Sequence, residues 1–203
     1  MIAYLFSNPL FFVLWAIALV IAVTVHEFAH AFVSDRLGDP TAKLSGRVTL
    51  NPLSHLDPVG TIAILIAGFG WGKPVPFDPF NLANPRRDAS LISLAGPASN
   101  FIVVVILALT AQLLPGMLFI LIPIITVNLM LGVFNLIPIH PLDGAKIVAG
   151  FLPEDQAHDW MLVQERYGML FLLAILLPIT PKGSLVSQTI APLLDFVLKL
   201  LLG

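Results

Sequence analysis

The sequence predicts an all-α, multi-pass membrane protein of about five transmembrane helices, with a re-entrant or sheet-like Pro/Gly-rich insertion near residues 58–80. Three observations predict it. Of the 203 residues, 58% are apolar and 11% charged, with a mean hydropathy of +0.95; soluble domains are usually about 45–50% apolar and about 25% charged. Apolar runs of spanning length recur, and the chain shows no internal repeat, heptad pattern or linker that would set off a soluble domain. The first such run, Pro9 to Val25, holds no formal charge and then meets "HEFAH", residues 26–30. Residues 1–203 are therefore expected to form one membrane-embedded domain.

Strong spans are expected at about 9–33, 91–114 and 117–137, with weaker ones at about 167–180 and 185–202. The stretch "VGTIAILIAGFG", 59–70, is too short and too rich in glycine for a confident crossing, and "GWGKPVPFDPF" follows it. Pro74, Pro76 and Pro79 oppose helix and favour extended or edge-strand backbone. Irregular backbone of this kind is tolerated at membrane depth where neighbouring helices shield it. The N-terminus lacks a basic n-region and its apolar run continues into the His/Glu cluster, so it is not expected to be a removable signal peptide.

Basic residues orient the chain. None precedes Arg36, whereas Arg36, Lys43, Arg47, Lys73, Arg86 and Arg87 all fall between the first span and the one beginning near residue 91. Placing that region in the cytoplasm puts the N-terminus outside. Lys146, Arg166 and Lys199 then also fall inside, and Lys182 falls outside. The net charge of −2 offers no basic patch of the kind nucleic-acid binders need. The absence of cysteine excludes disulfides and thiolate metal sites.

His26 and His30 are four residues apart and so share one helix face, a spacing that lets two imidazoles grip one zinc ion. Glu27, beside the first of them, is placed to take a proton from water activated there. Packing histidines sharing hydrogen bonds with other spans are the plain alternative, but three ionisable groups in lipid are costly without compensation. A third ligand must come from elsewhere. Asp143 in "FNLIPIHPLDGAKI", residues 134–147, follows an apolar span, in a segment broken by Pro138 and Pro141 and next to Gly144, which allows a tight turn. As an N-cap for the next helix it would serve equally well. Depth bears on the choice. His26 lies about 26 Å below a helix start near Pro9, at the inner end of the first span, and the span count brings Asp143 to the same end. Had 59–70 been a full crossing, Asp143 would emerge on the opposite face.

"HEFAH" in a membrane helix, "LAGPASN" opening a later span and "NLIPIHPLDG" together resemble the site-2 protease family of intramembrane zinc metalloproteases. "NPLSHLDPVGT" and "GWGKPVPFDP" are similar to its compact bacterial and archaeal branch, which lacks a PDZ domain. The resemblance covers about residues 15–150 and is far more specific than HExxH alone. It implies one Zn2+ per chain held by His26, His30 and Asp143, with Glu27 activating water and Asn135 contacting substrate or the developing oxyanion. It implies hydrolysis of peptide bonds within or near transmembrane segments of membrane-protein substrates. The setting it implies is a prokaryotic cell membrane, with the active site toward the cytoplasm. The expected partners are a transmembrane protein substrate and membrane lipid; oligomeric state stays open.

His140 departs from the motif, standing where an apolar residue or proline is expected. It is read as a loop histidine, with a metal or outer-shell contact as the alternative. His55 is assigned to turn chemistry with Asn51 and Asp57, and His158 to a solvated acidic connector. Gly96, Pro97 and Asn100 are assigned to close helix packing, and Asn128 to an interhelical hydrogen bond. The extended "KPVPFDP" segment is expected to receive a locally unwound substrate by β-addition. Two other functions use the same residues: a metal-ion transporter, which needs further ligands along a path, and an inert scaffold of protease ancestry, which has no need of an intact Glu27.

Overall fold

The computed structural model describes residues 6–67, 70–178, 180–181 and 183–203. Its secondary structure is helical, with no strand among the described residues. Helix α1 spans Pro9–Arg36, α2 Pro58–Ala67, α3 Pro85–Leu113, α4 Leu118–Asn135, α5 Asp143–Phe151, α6 Glu154–Leu176 and α7 Leu185–Leu202. A one-turn helix at Thr41–Leu44 and 3₁₀ turns at Pro52–Ser54, Pro79–Asn81 and Pro115–Met117 lie between them.

Local chemistry sets the ends. Asn8 caps α1 by accepting from the Phe11 N–H at 3.1 Å, with Pro9 at the first helical position, where a missing N–H costs nothing. Pro85 opens α3 in the same way and Asp88 sits in its first turn, so this helix starts ahead of the expected apolar run.

Four helices are long and apolar enough to cross a membrane: Pro9–Arg36, Pro85–Leu113, Pro115–Asn135 and Leu185–Leu202. The weaker span expected near 167–180 is instead the last part of α6, whose earlier turns carry Glu154, Asp155, Asp159, Glu165 and Arg166. The apolar remainder of α6 reaches only about 15 Å, half of a hydrocarbon core of about 30 Å. Helix α2, with 10 residues, is equally short at about 15 Å.

The insertion near 58–80 therefore begins as a helix, because an apolar run satisfies its backbone most completely that way. Beyond it, the sheet-like feature of the insertion is an isolated antiparallel bridge between Leu56 and Gly72, with the Lys73 N–H donating to the His55 carbonyl at 2.8 Å. Pro74 and Pro76 have no N–H to extend a ladder. Buried Arg47 occupies the Lys73 and Pro74 carbonyls at 3.3 and 3.2 Å and also donates to the Ser54 carbonyl. Gly68 and Phe69 of this insertion, and Lys182, lie outside the described residues.

Helices α1, α3 and α4 pack against one another, and α5 packs on α3. Ala18 and Ala22 of α1 meet Val127 of α4, with Trp15, Leu19, Ile124 and Leu131 around them. Small residues permit this closeness, which substitutes for the hydrophobic drive that lipid removes. Val104 and Ala111 of α3 pack with Leu121, Ile125 and Leu129 of α4, and Leu194, Val197 and Leu198 of α7 close that cluster. Outward positions such as Ile17, Ile102, Ile106 and Leu200 are exposed, as a lipid-facing surface requires.

At the end of α1 the chain is tied down by Asp39, which is fully buried. Its carboxylate accepts from Ser34 Oγ, Thr41 N–H and Oγ1, Asp78 N–H and Asn81 Nδ2, at 2.5–3.1 Å. Burial alone would raise its pKa; the donors from Thr41, Asn81 and Asp78 outweigh it and hold the carboxyl well below the usual carboxylate range. The turn after α1 is thereby joined to the loop at 78–81.

Candidate metal centre

One helix turn of α1 presents His26 and His30 on the side facing α3 and α5. Both rings are buried and stand edge-to-face, with centroids 4.6 Å apart. A side chain on α3 would block them: a Cβ at Gly96 would collide with His30 Nε2 and lie 2.7 Å from His26 Cε1. Gly96, expected to serve helix packing in general, clears the space these two rings occupy.

The outer nitrogen of each ring is already committed. His26 Nδ1 lies 2.7 Å from Asn100 Oδ1. The Asn100 amide nitrogen donates to Ala22 O at 3.1 Å and Asn128 Oδ1 at 2.9 Å, which fixes the amide so that its oxygen faces the ring. His30 Nδ1 lies 2.6 Å from the Ile92 carbonyl. A carbonyl oxygen only accepts, so both Nδ1 atoms carry hydrogen, which leaves each Nε2 as the ring nitrogen that faces inward.

Both Nε2 atoms point at Asp143. Its Oδ2 is 3.1 Å from His26 Nε2 and 3.3 Å from His30 Nε2. Asp143 is the first residue of α5; the cap position is Leu142, and no side-chain cap bond is formed there. The carboxylate is thus turned toward the histidines instead of capping its helix. The three candidate ligand atoms lie within 4.8 Å of one another, and this is the one such group of three among the described residues. Two inward-facing imidazole nitrogens and a carboxylate this close require positive charge between them, from a proton or a bound cation. An N₂O donor set with each imidazole anchored through its other nitrogen suits Zn2+.

Gly144 is required next to Asp143 for a reason other than the expected turn. Its φ is not in the left-handed region; a Cβ there would strike the carbonyl oxygens of Leu136 and Ile137. The loop preceding α5 is folded that closely against its own backbone.

Glu27 is half-buried on α1. It lies beside the insertion: a Cβ on Gly72 would come within 3.3 Å of Glu27 Oε1 and of the His55 carbonyl. Bare backbone at Gly72 therefore runs past the carboxylate next to the first histidine. Asn135 is not gathered into the trio; its Nδ2 donates to Leu131 O in its own helix at 3.0 Å. His140 is also outside it. Its backbone N–H donates to Gln164, and its Nδ1 is buried without a partner. His55 is fully buried and bonds Thr49 O at 2.7 Å, so the expected turn partners are replaced. Asn51 accepts from Leu53 N–H and Asp57 from Gly60 N–H, each capping the turn that follows. His158 is exposed on α6.

Similarity to known proteins agrees with a zinc site. The chain is 41% identical over 182 residues to "Putative zinc metalloprotease YwhC" of Bacillus subtilis (strain 168), covering 84% of this chain and 82% of that protein. It is 32% identical over 185 residues to the similarly named Rip2 of Mycolicibacterium smegmatis, covering 84% and 68%. A more distant relative, "Zinc metalloprotease MJ0392" of Methanocaldococcus jannaschii, is 28% identical over 149 residues, which span 36% of its length. No family model and no solved structure matches the chain. Identity at this level, across most of both chains, makes the protein a member of the zinc metalloprotease family that contains YwhC and Rip2.

Proposed function

We propose that the protein is an intramembrane zinc metalloprotease of the site-2 type, cutting peptide bonds within or near transmembrane segments of other membrane proteins. One observation carries the reading: two imidazoles, each anchored through Nδ1, aim their Nε2 atoms at a half-buried carboxylate on another helix. His26, His30 and Asp143 would hold the zinc. When bound, the metal supplies Lewis-acid polarisation of the scissile carbonyl and a lowered water pKa.

The rest falls to the chain. Glu27 accepts the proton of the attacking water and returns it to the leaving amine. Asn100 and the Ile92 carbonyl hold the two rings in one tautomer and one orientation throughout. The packed surfaces of α1, α3 and α4 limit water around the site. Asn135, at the end of α4, is assigned a contact with substrate or oxyanion, which requires its amide to leave Leu131 O.

A helical substrate shields its own peptide bonds, so it must unwind before cleavage. The extended run from Gly72 passes Glu27 and is the natural place for an unwound segment to lie, by backbone pairing. Arg47 occupies two of its carbonyls, which leaves other backbone groups to carry that pairing. The concentration of Arg36, Lys43, Arg47, Lys73, Arg86 and Arg87 between α1 and α3 supports a multi-pass arrangement with the site toward the cytoplasm.

The deciding experiment is cleavage of candidate membrane-protein substrates by the purified protein in lipid vesicles, with zinc stripped and then restored. Loss and recovery of cleavage is the expected result. Metal-independent cleavage, or zinc movement across the vesicle without cleavage, would replace this reading.

A further inference from the structure

We propose that Gln164 of α6 is a positioning residue for Asp143, and that α6 acts as the template against which the ligand-bearing loop is set. The proposal rests on the reading of Asp143 as a metal ligand.

The loop from Leu136 to Leu142 has little structure of its own. Pro138 and Pro141 remove two donors, and its internal bonds are short-range, such as Leu142 N–H to Ile139 O at 2.8 Å. Its outer support is a single carboxamide. Gln164, 4% exposed, accepts the His140 N–H through Oε1 at 2.8 Å and donates through Nε2 to Pro138 O at 3.2 Å. One side chain thus pairs with the backbone on both sides of Ile139. A buried amide is tolerable only when its donor and acceptor are both engaged, and here both are spent on this loop.

Two neighbours on the same face extend the grip. Trp160, one turn before Gln164, donates from Nε1 to Ala145 O at 2.8 Å. One turn after it lies Gly168, where a Cβ would come within 2.7 Å of both Cβ and O of His140. Positions 160, 164 and 168 form a line along the helix, and together they hold the chain from Pro138 to Ala145. Asp143 lies inside that bracket. Residues of α6 are absent from the metal-ligating trio, so any effect of Gln164 on the metal must act through the loop.

The test is a double-mutant cycle on the purified full chain, read by zinc affinity through chelator competition and by thermal unfolding of the zinc-stripped protein. Gln164→Leu keeps volume and removes both bonds; zinc affinity should fall about 10–100-fold, as for other outer-shell supports of metal ligands. Trp160→Phe, which removes one N–H, should shift affinity the same way by a smaller factor. In an Asp143→Asn background, Gln164→Leu should leave the residual zinc affinity unchanged, because the two residues act in series. Undiminished affinity in Gln164→Leu, or an equal fold-loss in both backgrounds, would overturn the positioning role. Wild-type affinity in Asp143→Asn alone would instead overturn the ligand assignment. Should Gln164→Leu not fold, the same cycle with Trp160→Phe decides the matter.

Discussion

His26 and Asn100 are joined across α1 and α3 by a 2.7 Å hydrogen bond, and the same amide continues to Asn128 on α4. A ring proposed to hold the metal is thereby linked to the amides that fasten three membrane helices together. Replacing Asn100 with Leu leaves the His26 Nδ1–H and Asn128 Oδ1 without this partner. Zinc affinity should drop about 10–100-fold, measured by competition with a chelator, alongside a loss of stability of about 1–3 kcal/mol. Unchanged affinity would reduce Asn100 to a packing residue.

Ligand and base are separable by substitution. His26→Ala and His30→Ala should remove stoichiometric zinc, whereas Glu27→Gln should keep it and lose about 10²–10⁴-fold in cleavage rate. Metal analysis and cleavage assays on the same preparations distinguish these outcomes. Equal zinc loss in Glu27→Gln would make Glu27 a ligand.

Asp39 should leave a signature in the acid limb of stability. Its folded pKa lies below the ordinary value, so the stabilisation is complete above about pH 4 and is lost as pH falls toward the folded value. Asp39→Asn puts an amide where donors converge. It should cost on the order of 2 kcal/mol at neutral pH and flatten the dependence of unfolding temperature on pH below about 4. A variant with the wild-type acid limb would show that other carboxylates set it.

Topology is open to direct labelling because the chain has no cysteine. Lys43 follows α1, and Gly116 joins α3 to α4 with open space around it. Single cysteines at these positions should react with impermeant reagents from opposite faces of a sealed vesicle, Lys43→Cys from the cytoplasmic one. Labelling of both from one face would contradict the orientation derived from the basic residues.

Much of this architecture is legible in the sequence, and the reasons are specific. Long uncharged runs mark α1, α3 and α4, and an apolar run broken by Asp195 and Lys199 marks α7, because lipid leaves such runs few alternatives to helix. The four-residue spacing of His26 and His30 specifies a shared face before any tertiary contact is known. Other features depend on what meets in space. Arg47 counts as one more positive charge along the chain, yet in the fold it gathers three carbonyls. Asp39 stands in an ordinary turn, "GDP", until Asp78 and Asn81 return to it from some forty residues away. Asn100 reads as a helix-packing amide, and only the position of His26 shows which atom it holds. Helix α6 misleads because its charged and apolar halves form one continuous element.

The three side chains that would hold the metal come from two segments more than a hundred positions apart, His26 and His30 in one and Asp143 in the other. During synthesis α1 enters the bilayer with its histidines long before Asp143 has been translated, at about 5–20 residues per second. For that interval of several seconds the nascent chain has the two imidazoles and lacks Asp143. If His26, His30 and Asp143 hold zinc, the full donor set comes together only after α5 has docked, so the chain passes through the insertion machinery without a complete site.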